Sequence, residues 1–150
     1  MSCIVFILAF NSSPVNASTD YIKVYVDGNQ LAFLEQPFIE NDVTLVQFRP
    51  IFEKLGIKIE WNGDTQTITG RKDNLTIKLT IGSDKAIVND EVKTLVIAPR
   101  IVNGNTMVPL RFVSEASGKE VKWDANFGKI TIGEQEIVKK LIEIDVTYDD

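Results

Sequence analysis

TLVQFRPIFEKLG at Thr44–Gly56 and TMVPLRFVSEASG at Thr106–Gly118 decide how this chain is read. Both run from a short alternating stretch into a helical stripe and stop at glycine. In the first, Phe48, Ile51, Phe52 and Leu55 stand at i, i+3, i+4 and i+7, one apolar helix face. Gly56 then supplies a left-handed helix stop. In the second, Pro109 is expected at the first helical position, where its missing N–H costs nothing, and the helix ends at Ser117-Gly118. The two stretches lie 62 residues apart.

The correspondence continues outward without a gap, laying residues 25–69 on residues 87–131. Val26 falls on Val88, Pro37 on Pro99, Ile39 on Ile101, Asn41 on Asn103, Arg49 on Arg111, Glu53 on Glu115 and Trp61 on Trp123. A repeat of this length signals one supersecondary unit used twice. Duplication favours a scaffold or binding module over a single asymmetric active site.

Around the helices the pattern is strand-like. Ile22 to Val26 alternates into Asp27-Gly28, a hairpin signal. Ile57, Ile59 and Trp61 alternate with Lys58 and Glu60, as Val121 and Trp123 do with Lys122 and Asp124. Leu75, Ile77, Leu79 and Ile81 line one face of a longer strand. The expected fold is α+β: two related units, each a twisted antiparallel sheet packed around one short helix. The first unit covers residues 22–72 and the second 75–133. Residues 134–150 lie outside the repeat and read as a final strand or tail, with a helix over Glu134–Ile142 as the alternative.

At 150 residues the chain suits one ordinary domain, or two very small ones sharing a core. A net charge of -5 with scattered basic residues argues against a nucleic-acid partner, since no basic stripe faces phosphates. There is no histidine, which removes the commonest metal ligand and general base. The one cysteine, Cys3, lies in an apolar run ending at Phe10. That run, followed by Val15-Asn16-Ala17, reads as a secretory signal over residues 1–17, although positively charged leading residues are missing. Export leaves a mature chain without cysteine, so stability must come from packing. No segment is long enough to span a bilayer as a helix.

"VDG" at Val26–Gly28, "PFIEND" at Pro37–Asp42, "NTMVPLRFVSEASG" at Asn105–Gly118, "IEW" ending at Trp61 and "VKWD" at Val121–Asp124 together carry a resemblance. The chain resembles the copper amine oxidase N-terminal-like, or stalk, domain family over about residues 22–132. That resemblance implies a secreted or cell-surface protein of Gram-positive bacteria. It also implies a sheet twisted round a helix, remote from copper and quinone, with no catalytic residues to carry over. Oxidase chemistry would need three His ligands and a Tyr in an Asn-Tyr-acid context; Thr147-Tyr148-Asp149 offers neither. The first copy departs from the pattern, with Gln47 where Pro109 stands and Asp42 where Gly104 stands, and neither departure is expected to touch chemistry.

The expectation is therefore a non-catalytic extracellular interaction or spacer module with no cofactor and no metal. Its partner would be a cell-wall polymer or another surface protein. The alternative is a carbohydrate- or peptidoglycan-binding module that stacks sugar rings on Trp61 and Trp123. The preferred reading of both indoles is that each closes its unit's core. Phe112, with Ala116, adds an apolar side to the second helix where the first has Pro50 and Lys54. It marks either a partner patch or a contact within the fold, and the second reading is preferred. Arg49, Glu53, Gly56, Arg111, Glu115 and Gly118 are read as structural. The recurrence of the Arg–Glu i,i+4 pair points to a buried role, such as Arg reaching strand carbonyls. Asp124 and Asn126 have partial calcium-loop spacing, but Gln135 stands where the closing Glu belongs.

Overall fold

The computed structural model describes residues 21–133. The signal expectation for residues 1–17 and the strand-or-helix expectation for residues 134–150 lie outside the described residues. Thirteen strands and two helices follow in order: β1 (Lys23–Val26), β2 (Asn29–Gln30), β3 (Phe38–Glu40), β4 (Val43–Gln47), α1 (Phe48–Lys54), β5 (Lys58–Asn62), β6 (Thr67–Lys72) and β7 (Leu75–Thr80). Then come β8 (Lys85–Val88), β9 (Glu91–Thr94), β10 (Arg100–Val102), β11 (Asn105–Pro109), α2 (Leu110–Ala116), β12 (Val121–Asp124) and β13 (Lys129–Ile132). The 62-residue offset between similar stretches of sequence is also an offset between elements. β3, β4 and α1 begin and end 62 residues before β10, β11 and α2, and β1 likewise precedes β8.

The hairpin turns repeat too. Asp27-Gly28, Asn41-Asp42, Asn89-Asp90 and Asn103-Gly104 all hold positive φ at both central residues. That is the turn whose twist matches the flanking strands, and Asn, Asp and Gly are the residues that tolerate it. Pro109 proves to be the last residue of β11, one position before α2, with extended backbone at φ -64 and ψ 114. Its fixed φ suits that junction as well as it suits a first helical turn.

The strands form three sheets, in the orders β12-β13-β1-β2, β10-β11-β4-β3 and β5-β6-β7-β8-β9. The α+β class expected from the sequence describes this arrangement. One antiparallel sheet per unit does not: every sheet draws strands from both copies, and β1 pairs with β13 in parallel. The central sheet joins two hairpins through β4 and β11. Val46 lies opposite Val108, flanked by Leu45 opposite Pro109 and Gln47 opposite Met107. Equivalent residues thus face each other, so the pairing has an approximate twofold axis between the two valines.

Both faces of that pair are buried. Val46 and Val108 point into the main core, where Phe52, Ile51, Ile68, Ile77, Leu79, Val24 and Ile132 are fully enclosed. Leu45 and Met107, on the opposite face, are also at 0% exposure but stand outside that cluster. The main cluster takes side chains from all three sheets and both helices, so it is one shared core. Seven-residue helices are far too short to persist alone, and this burial is what holds them.

Gly56 (φ 73) and Gly118 (φ 80) end the helices in the left-handed region as expected. At the C-terminal end of α1, Lys72 Nζ donates to Leu55 O at 2.7 Å, satisfying one carbonyl the helix leaves open.

The copies exchange bulk between helix and strand. In the first, Phe52 packs over Gly70, where a Cβ would come within 3.0 Å of Phe52 and 2.7 Å of Ile57. In the second, the equivalent positions are Ser114 and Ile132, both at 0% exposure, with Ser114 Oγ donating to Leu110 O at 2.8 Å. A large side chain sits on the helix in one copy and on the strand in the other. Phe52→Ser alone is expected to cost about 4 kcal/mol by leaving a cavity, and Gly70→Ile alone about 1–3 kcal/mol by overpacking. The double variant should recover at least ~1 kcal/mol relative to their sum, read from urea midpoints. Simple additivity would show that the two positions do not share one volume.

Candidate functional site

One cleft takes its walls from both segments of the chain. The β3–β4 hairpin contributes Ile39, Asp42, Val43 and Thr44; α2 contributes Leu110 and Arg111; β12 and β13 contribute Val121, Trp123 and Ile130. Together they enclose about 330 Å³. A second hollow of about 220 Å³ adjoins it, sharing Val43 and Arg111 and extending past Phe112 and Glu115 to Leu95 and Val96. The pair forms a groove across α2 with mainly apolar walls.

Arg111 stands at the join of the two hollows. Its guanidinium donates to Glu115 Oε1 at 3.2 Å and to Val121 O at 3.4 Å. The carbonyl contact matches the expectation, but the burial does not: the Arg111 and Glu115 side chains are 57% and 56% exposed. Arg49 and Glu53 are as open, at 3.9 Å, with Arg49 also lying over the Phe48 ring at 5.4 Å. Pairs this exposed contribute only a few tenths of a kcal/mol; Arg111 and Glu115 border the groove, whereas Arg49 and Glu53 line neither hollow.

The tryptophans correct the core reading. Trp61 is 44% exposed and Trp123 43%. Each shares the inward face of its strand and lies directly opposite a buried isoleucine, Ile68 for Trp61 and Ile130 for Trp123. However, Trp61 stands four residues beyond the buried Ile57, about 13 Å further along the strand, where the sheet outruns the helix. The alternation was legible, but the point where the core ends was not. Phe112 is half-buried: it packs against the main cluster and also borders the second hollow.

Ile39, Asp42 and Val43 were not singled out by sequence. A signal was present, because the repeat pairs exposed apolar residues: Ile39 at 48% with Ile101 at 49%, Leu34 at 88% with Val96 at 79%, and Trp61 with Trp123. A core requirement alone would not preserve outward-facing hydrophobes at matched positions. Asp42, which stands where the second stretch has Gly104, borders the cleft at φ 62.

The polar chemistry elsewhere is modest. Glu91 on the exposed strand β9 is held below the usual carboxylate range by a hydrogen bond and charge attraction from Lys93, with Nζ 2.7 Å from Oε2. Asp124 Oδ1 accepts the Asn126 N–H at 3.1 Å, and Asn62 Oδ1 accepts the Asp64 N–H at 3.0 Å. Their spacing thus shapes equivalent turns. Among the described residues, no three His, Cys, Asp or Glu side chains are grouped to hold a metal, and no helix is long and apolar enough to cross a membrane.

The family described as "Copper amine oxidase N-terminal domain" matches residues 25–132, and the chain belongs to it. A Brevibacillus choshinensis protein described as "Protease inhibitor" is 30% identical over 127 residues, which is 81% of this chain. The chain spans 38% of that relative's length.

With two tryptophans in the chain, each single-tryptophan variant (Trp61→Phe or Trp123→Phe) should emit well to the red of a buried indole and be readily quenched by acrylamide. Trp123→Ala should destabilise by less than the ~3–5 kcal/mol typical of a core aromatic, measured by urea unfolding. A blue, unquenched emission from either variant would contradict this exposure.

Proposed function

We propose that this chain is a non-catalytic module of an exported, surface-associated protein, and that it holds a protein partner in the groove across α2. The observation that carries this reading is the groove itself, with an exposed indole and aliphatic walls beside an oriented Arg–Glu pair. Concave, largely apolar sites with a few placed polar groups are what ligand pockets typically present. Exposed aromatic and Arg anchors commonly dominate protein interfaces. Membership of the copper amine oxidase N-terminal domain family supports a role without catalysis. The relative described as a protease inhibitor supports a protein as the partner.

Residues 22–72 and 75–133 are, on this reading, two copies of one unit, supported by the constant offset between their elements. Export with residues 1–17 as signal belongs to the same reading, supported by the apolar run from Cys3 to Phe10. A Gram-positive origin accords with the source of the relative. A carbohydrate- or peptidoglycan-binding role is the second reading, favoured by the matched exposure of Trp61 and Trp123.

The test is binding to purified cell wall, to secreted proteins and to proteases of the serine, cysteine and metallo classes. Wild type is compared with Trp123→Ala, Phe112→Ala and Trp61→Ala, each first checked for folding by circular dichroism. At least tenfold weaker protein binding is expected for Trp123→Ala and Phe112→Ala, with Trp61→Ala close to wild type. Cell-wall binding lost in both tryptophan variants would favour the second reading. Binding indifferent to all three would remove the groove from the account.

A further inference from the structure

We infer that this module is built to withstand tension applied along the chain, and that the β1–β13 pair is the element that resists it. This goes beyond ligand binding and does not depend on what the groove holds. β1 is the first described strand and β13 the last, and they are parallel neighbours with Lys23 opposite Lys129 and Val26 opposite Ile132. In a parallel pair, the start of one strand and the end of the other lie at opposite ends of the ladder. Tension entering before Lys23 and leaving after Ile132 therefore slides the strands along each other. All the cross-strand hydrogen bonds are strained together. An antiparallel hairpin pulled at its two open ends would lose them one at a time.

Several contacts complete the clamp. The Lys23 N–H donates to Gly128 O and the Asp27 N–H to Ile132 O, both at 2.9 Å, so the ladder is bonded beyond both ends of its paired residues. Lys119 Nζ donates to both carboxylate oxygens of Asp27 at 3.1 and 3.2 Å, tying the far end of β1 to the loop after α2. The Gly133 N–H donates to Glu120 O at 2.9 Å, tying the end of β13 to the same loop. Gly133 holds φ 74, and a side chain there would displace the Asp27 carboxylate from its place beside Lys119. Val24, Val26 and Ile132 are at 0% exposure and Ile130 at 2%, which keeps water from the ladder while it is strained.

The comparison with the other outer sheet sharpens the point. There, β6 and β8, the equivalents of β13 and β1, are separated by β7 and connected through antiparallel neighbours. The direct parallel contact occurs only where the chain enters and leaves the described fold.

Single-molecule force spectroscopy decides the matter. The full chain, carrying Cys3→Ser, is tethered by its two ends. The comparison is the same protein tethered through Thr65→Cys and Asp84→Cys, which pulls β6 and β7 apart from their common open end. At equal pulling speed, end-to-end unfolding should need at least twice the force. Forced unfolding reads the barrier and not the equilibrium stability, so the ratio tests geometry. Lys119→Met should lower the end-to-end force by a fifth or more and leave the 65–84 force unchanged. Equal forces in the two directions, or an equal fall in both for Lys119→Met, would overturn the inference. Neither result would bear on partner binding, whose failure shows in the groove variants instead.

Discussion

The pairing of β4 with β11 is the constraint from which the rest follows. It places Val46 against Val108 and buries the strand pair on both faces. With these two hairpins joined at the centre, the segments before and after them complete the outer sheets by crossing over. β1 and β2 of the first copy finish the sheet begun by β12 and β13 of the second, while β8 and β9 extend the sheet begun by β5 and β6. Neither copy has a complete sheet of its own. Isolated short strands and seven-residue helices bury too little apolar area to offset the entropy of ordering them. The single shared core gives these short elements the burial that none could supply alone.

The groove is a consequence of the same crossing. Its walls come from a hairpin of one copy and from a helix and strand of the other, so no single unit contains it. Ile39 and Ile101, and Trp61 and Trp123, lie 62 residues apart and are exposed to the same degree, so the correspondence extends to apolar surface as well as core. The two turns differ here: Asp42 borders the cleft, whereas Gly104, its counterpart 62 residues on, does not line it. Family membership is consistent with this emphasis on surface and scaffold.

Local features were legible in the sequence because local chemistry sets them. The apolar stripe Phe48–Leu55, the glycine stops at Gly56 and Gly118 and the Asn/Asp/Gly hairpin turns each follow from short-range rules that tertiary contacts did not override. The alternation in β5 and β12 was equally plain, yet it gave the face of Trp61 and Trp123 without their depth. Period reports direction, whereas burial depends on where a neighbouring element stops. Strand partnership was hidden for a related reason: β1 reads the same whether it pairs within its own copy or with β13. The site residues Ile39 and Asp42 were obscured because a turn-adjacent apolar residue and a turn aspartate each have an ordinary explanation when taken alone.

The exchange of bulk between Phe52 over Gly70 and the Ser114 and Ile132 positions bears on how such a gene can change. Recombination between similar stretches of a gene splices the front of one to the back of the other. Here a splice between helix and strand would set phenylalanine against isoleucine, or serine against glycine. The first hybrid is too full and the second hollow. Each helix is therefore matched to its own strand, and the two halves are not interchangeable across that boundary.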